Sequence, residues 1–206
     1  MKGNRTKLLR NRVAQEATLL LYTSQEKEYK QAKKRASETL GARVLPSNFE
    51  IAEELDRIAD EREGSKKREL LKRMRKEAKQ IMAVLIEFSP RLVGSVWRGT
   101  ARKNSDIDIH VFAQDANLVL DLLQKNNYNT EDPEWRSVTK NGNKQSSLHI
   151  NLVLESGDNV EIVVRSPECI GQPERCETYG DQKTGLNLSQ LTKVLEENPL
   201  QKFVPD

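Results

Sequence analysis

The apolar residues of this 206-residue chain change period at Ser89-Pro90, and no other feature limits its folding options as much. Up to Phe88 they recur three or four apart, the spacing of a helix with one buried face. Leu9, Val13, Ala17 and Leu20 form one stripe, which continues after a shift through Tyr22, Tyr29, Ala32, Ala36 and Leu40, with Gly41 placed as a C-terminal cap. After Pro46 comes Ser47-Asn-Phe-Glu50, a spacing at which Ser47 and Glu50 satisfy each other's backbone donors, ahead of Ile51, Leu55 and Ile58. Gly64 ends that helix. Leu71, Met74, Ala78, Ile81, Leu85 and Phe88 mark a third, and Pro90 forces its predecessor away from helical geometry.

Beyond Arg91 the apolar residues come in short runs separated by turn residues. Arg91 to Gly94 and Ser105 to Phe112 read as strands, and Asn117 to Gln124 as a helix. A strand over Trp135 to Thr139 and a turn at Lys140-Asn-Gly-Asn143 follow. Next come His149 to Leu154 and Asn159 to Val164, joined as a hairpin by Glu155-Ser-Gly-Asp158, and a short helix around Leu188 to Glu196. The expected fold class is α+β: a helical, basic N-terminal domain over 1–88 and a mixed sheet with flanking helices over 89–206.

The net charge of +3 conceals an asymmetry. Residues 1–88 hold 21 Lys and Arg against 14 Asp and Glu, a net of +7, whereas residues 89–206 hold 13 against 17, a net of −4. A basic third helix attracts phosphates in principle, but with Glu69 and Glu77 interspersed it reads first as an ordinary solvated face. Nothing in the composition calls for a membrane, and MKGNRTKLLRNR contains no apolar signal core, so a cytoplasmic protein is expected. Cys169 and Cys176 have no second Cys/His pair to complete a zinc site and are read as free thiols.

The chemistry lies in Asp106-Ile-Asp-Ile109. Alternation on a strand puts Asp106 and Asp108 on one face and Ile107, Ile109 and Val111 on the other. Two like charges side by side are costly unless a cation lies between them, and hard carboxylate oxygens suit magnesium, with manganese as the alternative. Upstream, Gly94 permits close backbone approach, and Ser95 can offer its hydroxyl and N–H to phosphate oxygens, with Arg98, Arg102 and Lys103 adding positive charge. Glu161 interrupts the apolar run Val160 to Val164. If its strand lay antiparallel beside Ser105 to Phe112, Glu161 would reach the aspartates and either hold a second ion or accept a proton. His110 shares the carboxylate face and His149 starts another strand; both read as hydrogen-bonded side chains rather than ligands, and Trp97 and Trp135 as packing residues.

Gly94, Ser95, Arg98, Gly99, Thr100, Ala101 and Arg102, then Ser105, Asp106 and Asp108, with Glu161 later in a strand, resemble the motif of the DNA polymerase beta-like nucleotidyltransferase superfamily. Among its branches, the minimal nucleotidyltransferases look most similar. The resemblance covers about residues 91–165. Trp97 departs from it, standing where a small residue is usual, a place from which it would narrow the phosphate loop or pack beneath it. The resemblance implies transfer of a nucleoside monophosphate from a nucleoside triphosphate, ATP among the candidates, to an acceptor hydroxyl, with release of pyrophosphate. It further implies two magnesium ions on Asp106, Asp108 and Glu161, and triphosphate contacts from Gly94, Ser95, Arg98 and Ser105. The base is left open, as are the acceptor (an RNA end, a small molecule or a protein hydroxyl) and self-association. The other reading is a catalytically silent module that binds RNA or a protein through the helical half.

Overall fold

A computed structural model describes residues 2–140, 143–172 and 174–205. Its elements run α1 (Lys2–Tyr22), α2 (Tyr29–Thr39), α3 (Asn48–Glu63), α4 (Ser65–Val84), β1 (Arg91–Val93), α5 (Gly94–Arg98), β2 (Ile107–Phe112), α6 (Asn117–Lys125), β3 (Glu134–Lys140), β4 (Asn143–Val153), β5 (Asn159–Arg165) and α7 (Leu188–Glu197). The chain divides into two compact units, residues 1–64 with 175–182 and residues 65–174 with 183–204. The sequence suggested a division at 88/89. By contacts it falls at 64/65, because the apolar stripe of α4 packs with the sheet residues.

In the first unit the shift in the apolar stripe is a break between two helices, with Ser24 at φ +57°. Val13, Ala17, Leu20 and Leu21 of α1 pack with Ala32 and Ala36 of α2 and Ile51 and Leu55 of α3. The capping box forms as expected, Ser47 accepting from the Glu50 N–H and Glu50 from the Ser47 N–H. Glu50 also takes the Nε of Arg10 at 2.8 Å, which ties α1 to the start of α3. Residues 175–182 join this unit through Tyr179, edge-on to Phe49 at 5.9 Å.

The second unit holds a five-stranded mixed sheet in the order β1-β2-β5-β4-β3. The expected β4–β5 hairpin is present, with Asn151 opposite Glu161. β5 lies parallel to β2, however, and not antiparallel: α6, β3 and β4 intervene, so the chain re-enters beside β2 in the same direction. The antiparallel edge strand β1 puts Val93 opposite Asp108. Ile107, Ile109, Val111, Val160, Ile162, Val164, Ile150 and Leu152 are buried, alongside Met74, Ala78, Ile81 and Met82 of α4 and Leu191 of α7. Of the expected Lys140–Asn143 turn, Asn141 and Gly142 lie outside the described residues. Cys169 and Cys176 are free thiols. No helix among the described residues is long and apolar enough to cross a membrane.

Arg75 locks this unit. Fully buried and in no ion pair among the described residues, its guanidinium donates to four backbone carbonyls: Val96 (3.1 Å), Trp97 (3.0 Å), Pro199 (2.8 Å) and Gln201 (2.8 Å). Burial pushes its pKa down to about 10. One side chain of α4 thereby fixes both α5 and the chain after α7.

Candidate active site

Register assembles the site. Because Val93 faces Asp108, Asp108 faces Glu161 and Glu161 faces Asn151, one row runs across four strands from the start of α5 to β4. Two residues further along β2 a second row on the same face carries His110, Val163, His149 and Glu134. The structure therefore brings together Gly94, Asp106, Asp108 and Glu161, which the sequence analysis singled out separately.

Gly94 is required here. It has φ +67°, and a Cβ built on it would stand 1.8 Å from the Asp108 carboxylate oxygen Oδ2. The loop backbone and the carboxylate are thus in direct apposition. Asp108 is half-buried, and its carboxyl is pushed up to about 7, first by burial and then by the charges of Glu161 and Asp106, with Lys183 opposing. Asp106 is exposed and accepts a 3.3 Å bond from Asn159 Nδ2.

Glu161 is engaged at one oxygen. Its Oε1 accepts from Arg136 Nη1 at 3.1 Å and lies 2.8 Å from His149 Nδ1, whose Nε2 is 3.1 Å from Ser147 Oγ. With the proton on Nδ1, His149 donates to Glu161 and accepts from Ser147. His149 is thus a hydrogen-bonded side chain, as expected. His110 stands deeper, its pKa driven down to about 3 mainly by burial, with Lys183 and Arg165 adding to the effect.

The remaining sequence candidates take different places. Ser95 is half-exposed in the first turn of α5, where its carbonyl accepts from Thr100 N. Ser105 Oγ accepts from Arg102 N at 3.1 Å and so braces the loop into β2. Arg98 is buried: its guanidinium stacks 4.0 Å over the Trp97 ring and donates to the Phe203 carbonyl at 2.7 Å. Trp97 is also buried, in the core with Val96 and Ala101. Trp135, expected to pack, is 65% exposed on the edge strand β3, which has no outer neighbour to cover it.

A cavity of about 250 Å³ adjoins the carboxylates, lined by Asp106, Glu161, Glu131, Asn151 and Asn159 among others. Arg136, Asn151 and Asn159 were missed as site residues. Their signal was alternation: Asn151 and His149 interrupt Leu148, Ile150 and Leu152 as Glu161 interrupts β5. Asp158, read as a turn residue without a role, takes Arg73 of α4 in a two-pronged pair at 2.8 and 2.9 Å.

The donor set suits a hard divalent cation: all oxygen, mutually repelling, with Asp108 left in need of a positive neighbour. Asp106 and Asp108 fit that group. Among the described residues no cluster of three His, Cys, Asp or Glu stands at metal-holding spacing, consistent with Glu161 turned to Arg136 and His149.

Two solved structures resemble part of the chain. One, a cytoplasmic RNA terminal U-transferase, is 20% identical, with 47% of this chain and 29% of that one covered and a TM-score of 0.34. The other, from the GLD-2/RNP-8 complex, is 19% identical, with 50% and 38% covered and a TM-score of 0.34. The chain thus spans well under half the length of either. No curated protein matches it. The model of the nucleotidyltransferase domain family matches residues 68–169, which include most of α4, the whole sheet and every candidate site residue. The chain therefore carries a nucleotidyltransferase domain over residues 68–169.

Proposed function

We propose that this protein is a metal-dependent nucleotidyltransferase that moves a nucleoside monophosphate from a nucleoside triphosphate to an acceptor hydroxyl, in the cytoplasm. The observation that carries the reading is the apposition of Gly94 to Asp108, in register with Glu161. In this reading Asp106 and Asp108 hold magnesium or manganese, with Glu161 added once the site is loaded. Bound there, the ions would neutralise triphosphate charge and stabilise the attacking and leaving oxygens.

The chain's own residues supply the rest. Gly94 lets the triphosphate approach the loop backbone, and Ser95 and Ser105 border that approach, Ser105 by holding the turn. Arg98, assigned to the nucleotide from sequence, acts on it indirectly by holding the loop against Trp97 and Phe203. Because both contacts to Glu161 fall on Oε1, Oε2 is the oxygen assigned to the acceptor proton. As the acceptor oxygen bonds to the α-phosphorus, its proton passes to Glu161 and the bond to pyrophosphate breaks. Asn151 and Asn159 offer amide donors in the adjoining cavity.

Glu161 held by Arg136 and His149 also favours a second reading, a catalytically silent module on the same fold. Calorimetric titration of wild type and of Asp106→Asn/Asp108→Asn with each nucleoside triphosphate, with and without magnesium, tests the first. Magnesium-dependent binding to wild type alone is expected. Absence of such binding to wild type contradicts it.

A further inference from the structure

By sequence alone the basic third helix reads as a solvated face. The structure places part of it inside a groove. Lys72, Lys76, Lys79 and Ala83 follow one another at i, i+4, i+7 and i+11 along α4, and with Gln80 they form one wall of a cavity of about 650 Å³. Leu195 of α7 and Pro199 form the other, and the lining contains no carboxylate. Lys72 is tied to Glu69 at 2.9 Å, whereas Lys76 and Lys79 enter no ion pair among the described residues. The Pro199 wall is held in place, because its carbonyl takes the Arg75 guanidinium from the buried side of α4.

We propose that this groove binds the phosphodiester backbone of a single-stranded nucleic acid. Lysine ammonium groups are compact point charges suited to phosphate, and no arginine fork that would select planar carboxylates lines the groove. The helical rise sets the three lysines about 6 and 4.5 Å apart along the axis. That interval matches an extended strand better than the ~3.4 Å per-strand charge spacing of a duplex. Ala83, Leu195 and Pro199 supply an apolar floor for sugars and base faces. The site is separate from the carboxylates and its binding does not depend on catalysis.

The test is fluorescence anisotropy of a labelled single-stranded oligonucleotide, as RNA and as DNA, with the full-length protein over a range of salt. Each phosphate neutralised contributes about 0.7 to the slope of log affinity against log salt for a single strand. Lys76→Gln/Lys79→Gln is expected to lower that slope by about 1.4. Ala83→Glu, which leaves every lysine in place, should weaken binding by about tenfold, while Lys193→Gln, outside the lining, should leave the slope unchanged. All variants should keep the wild-type melting temperature, since the altered side chains are outside the core. The proposal is overturned if wild type binds no strand, if the double variant keeps the wild-type slope, if Lys193→Gln lowers it equally, or if polyglutamate competes as well as the oligonucleotide. Asp106→Asn/Asp108→Asn should bind the strand like wild type, so a failure of this groove is distinguishable from a failure of the nucleotidyltransferase reading.

Discussion

Gly94 and Asp108 are the two residues whose chemistry is least separable. At φ +67° and with Asp108 Oδ2 occupying the space of a Cβ, Gly94→Ala must displace either the loop or the carboxylate. A loss of about a hundredfold in kcat/KM is expected, the scale of an ångström misplacement, with far-UV circular dichroism little changed. Asp108→Asn should lower activity yet raise the melting temperature measured without divalent ions, because it removes a carboxylate that burial and two neighbouring acids disfavour. An unchanged or lower melting temperature would mean that Asp108 is not under that strain. Arg98 teaches the converse: a motif gives a residue type and a position, but not the direction of its side chain. The Phe203 carbonyl that Arg98 reaches is 105 residues away in sequence, and no local pattern announces it.

At the scale of elements, α4 and the capping of α3 do the most for the fold. Arg75→Ala would leave four carbonyls without their donor, those of Val96 and Trp97 buried, and should destabilise the sheet-containing unit by about 3–5 kcal/mol, with Arg75→Lys recovering only part. Guanidinium unfolding of the three proteins measures this. In the N-terminal unit, the Arg10 hydrogen bond holds the Glu50 carboxyl down at about 2, against 4.5 ordinarily. Its folded pKa being depressed, Glu50 contributes stability that is present above about pH 4.5 and lost as pH falls toward 2. Glu50→Gln should therefore narrow its gap to wild type in melting temperature across that window, and a constant gap would remove Glu50 as the cause. The capping box, the hairpin and the helix starting near Leu188 were legible because each rests on neighbours in sequence. The parallel pairing of β2 with β5 was not, since alternation shows which face a side chain takes but is silent on strand direction. The exposure of Trp135 depended in the same way on strand order, which leaves β3 at an edge.

For the whole molecule, the nucleotidyltransferase domain begins within α4, so a helix that belongs by period to the basic half belongs by packing to the sheet. That placement gives α4 two faces with separate tasks: Arg75 inward, holding the loop that carries Gly94, and the lysines outward, lining a groove. The charge asymmetry of the sequence thus does not follow the packing, since the lysines of α4 lie in the same unit as the carboxylates. Incubation of the protein with each labelled nucleoside triphosphate, magnesium and a cell extract of RNA and protein asks whether this fold performs chemistry at all. Label should pass to an acceptor with wild type and not with Asp106→Asn/Asp108→Asn, and the labelled species names the acceptor. Absence of transfer with every triphosphate, or equal transfer by the variant, would contradict catalysis by these carboxylates.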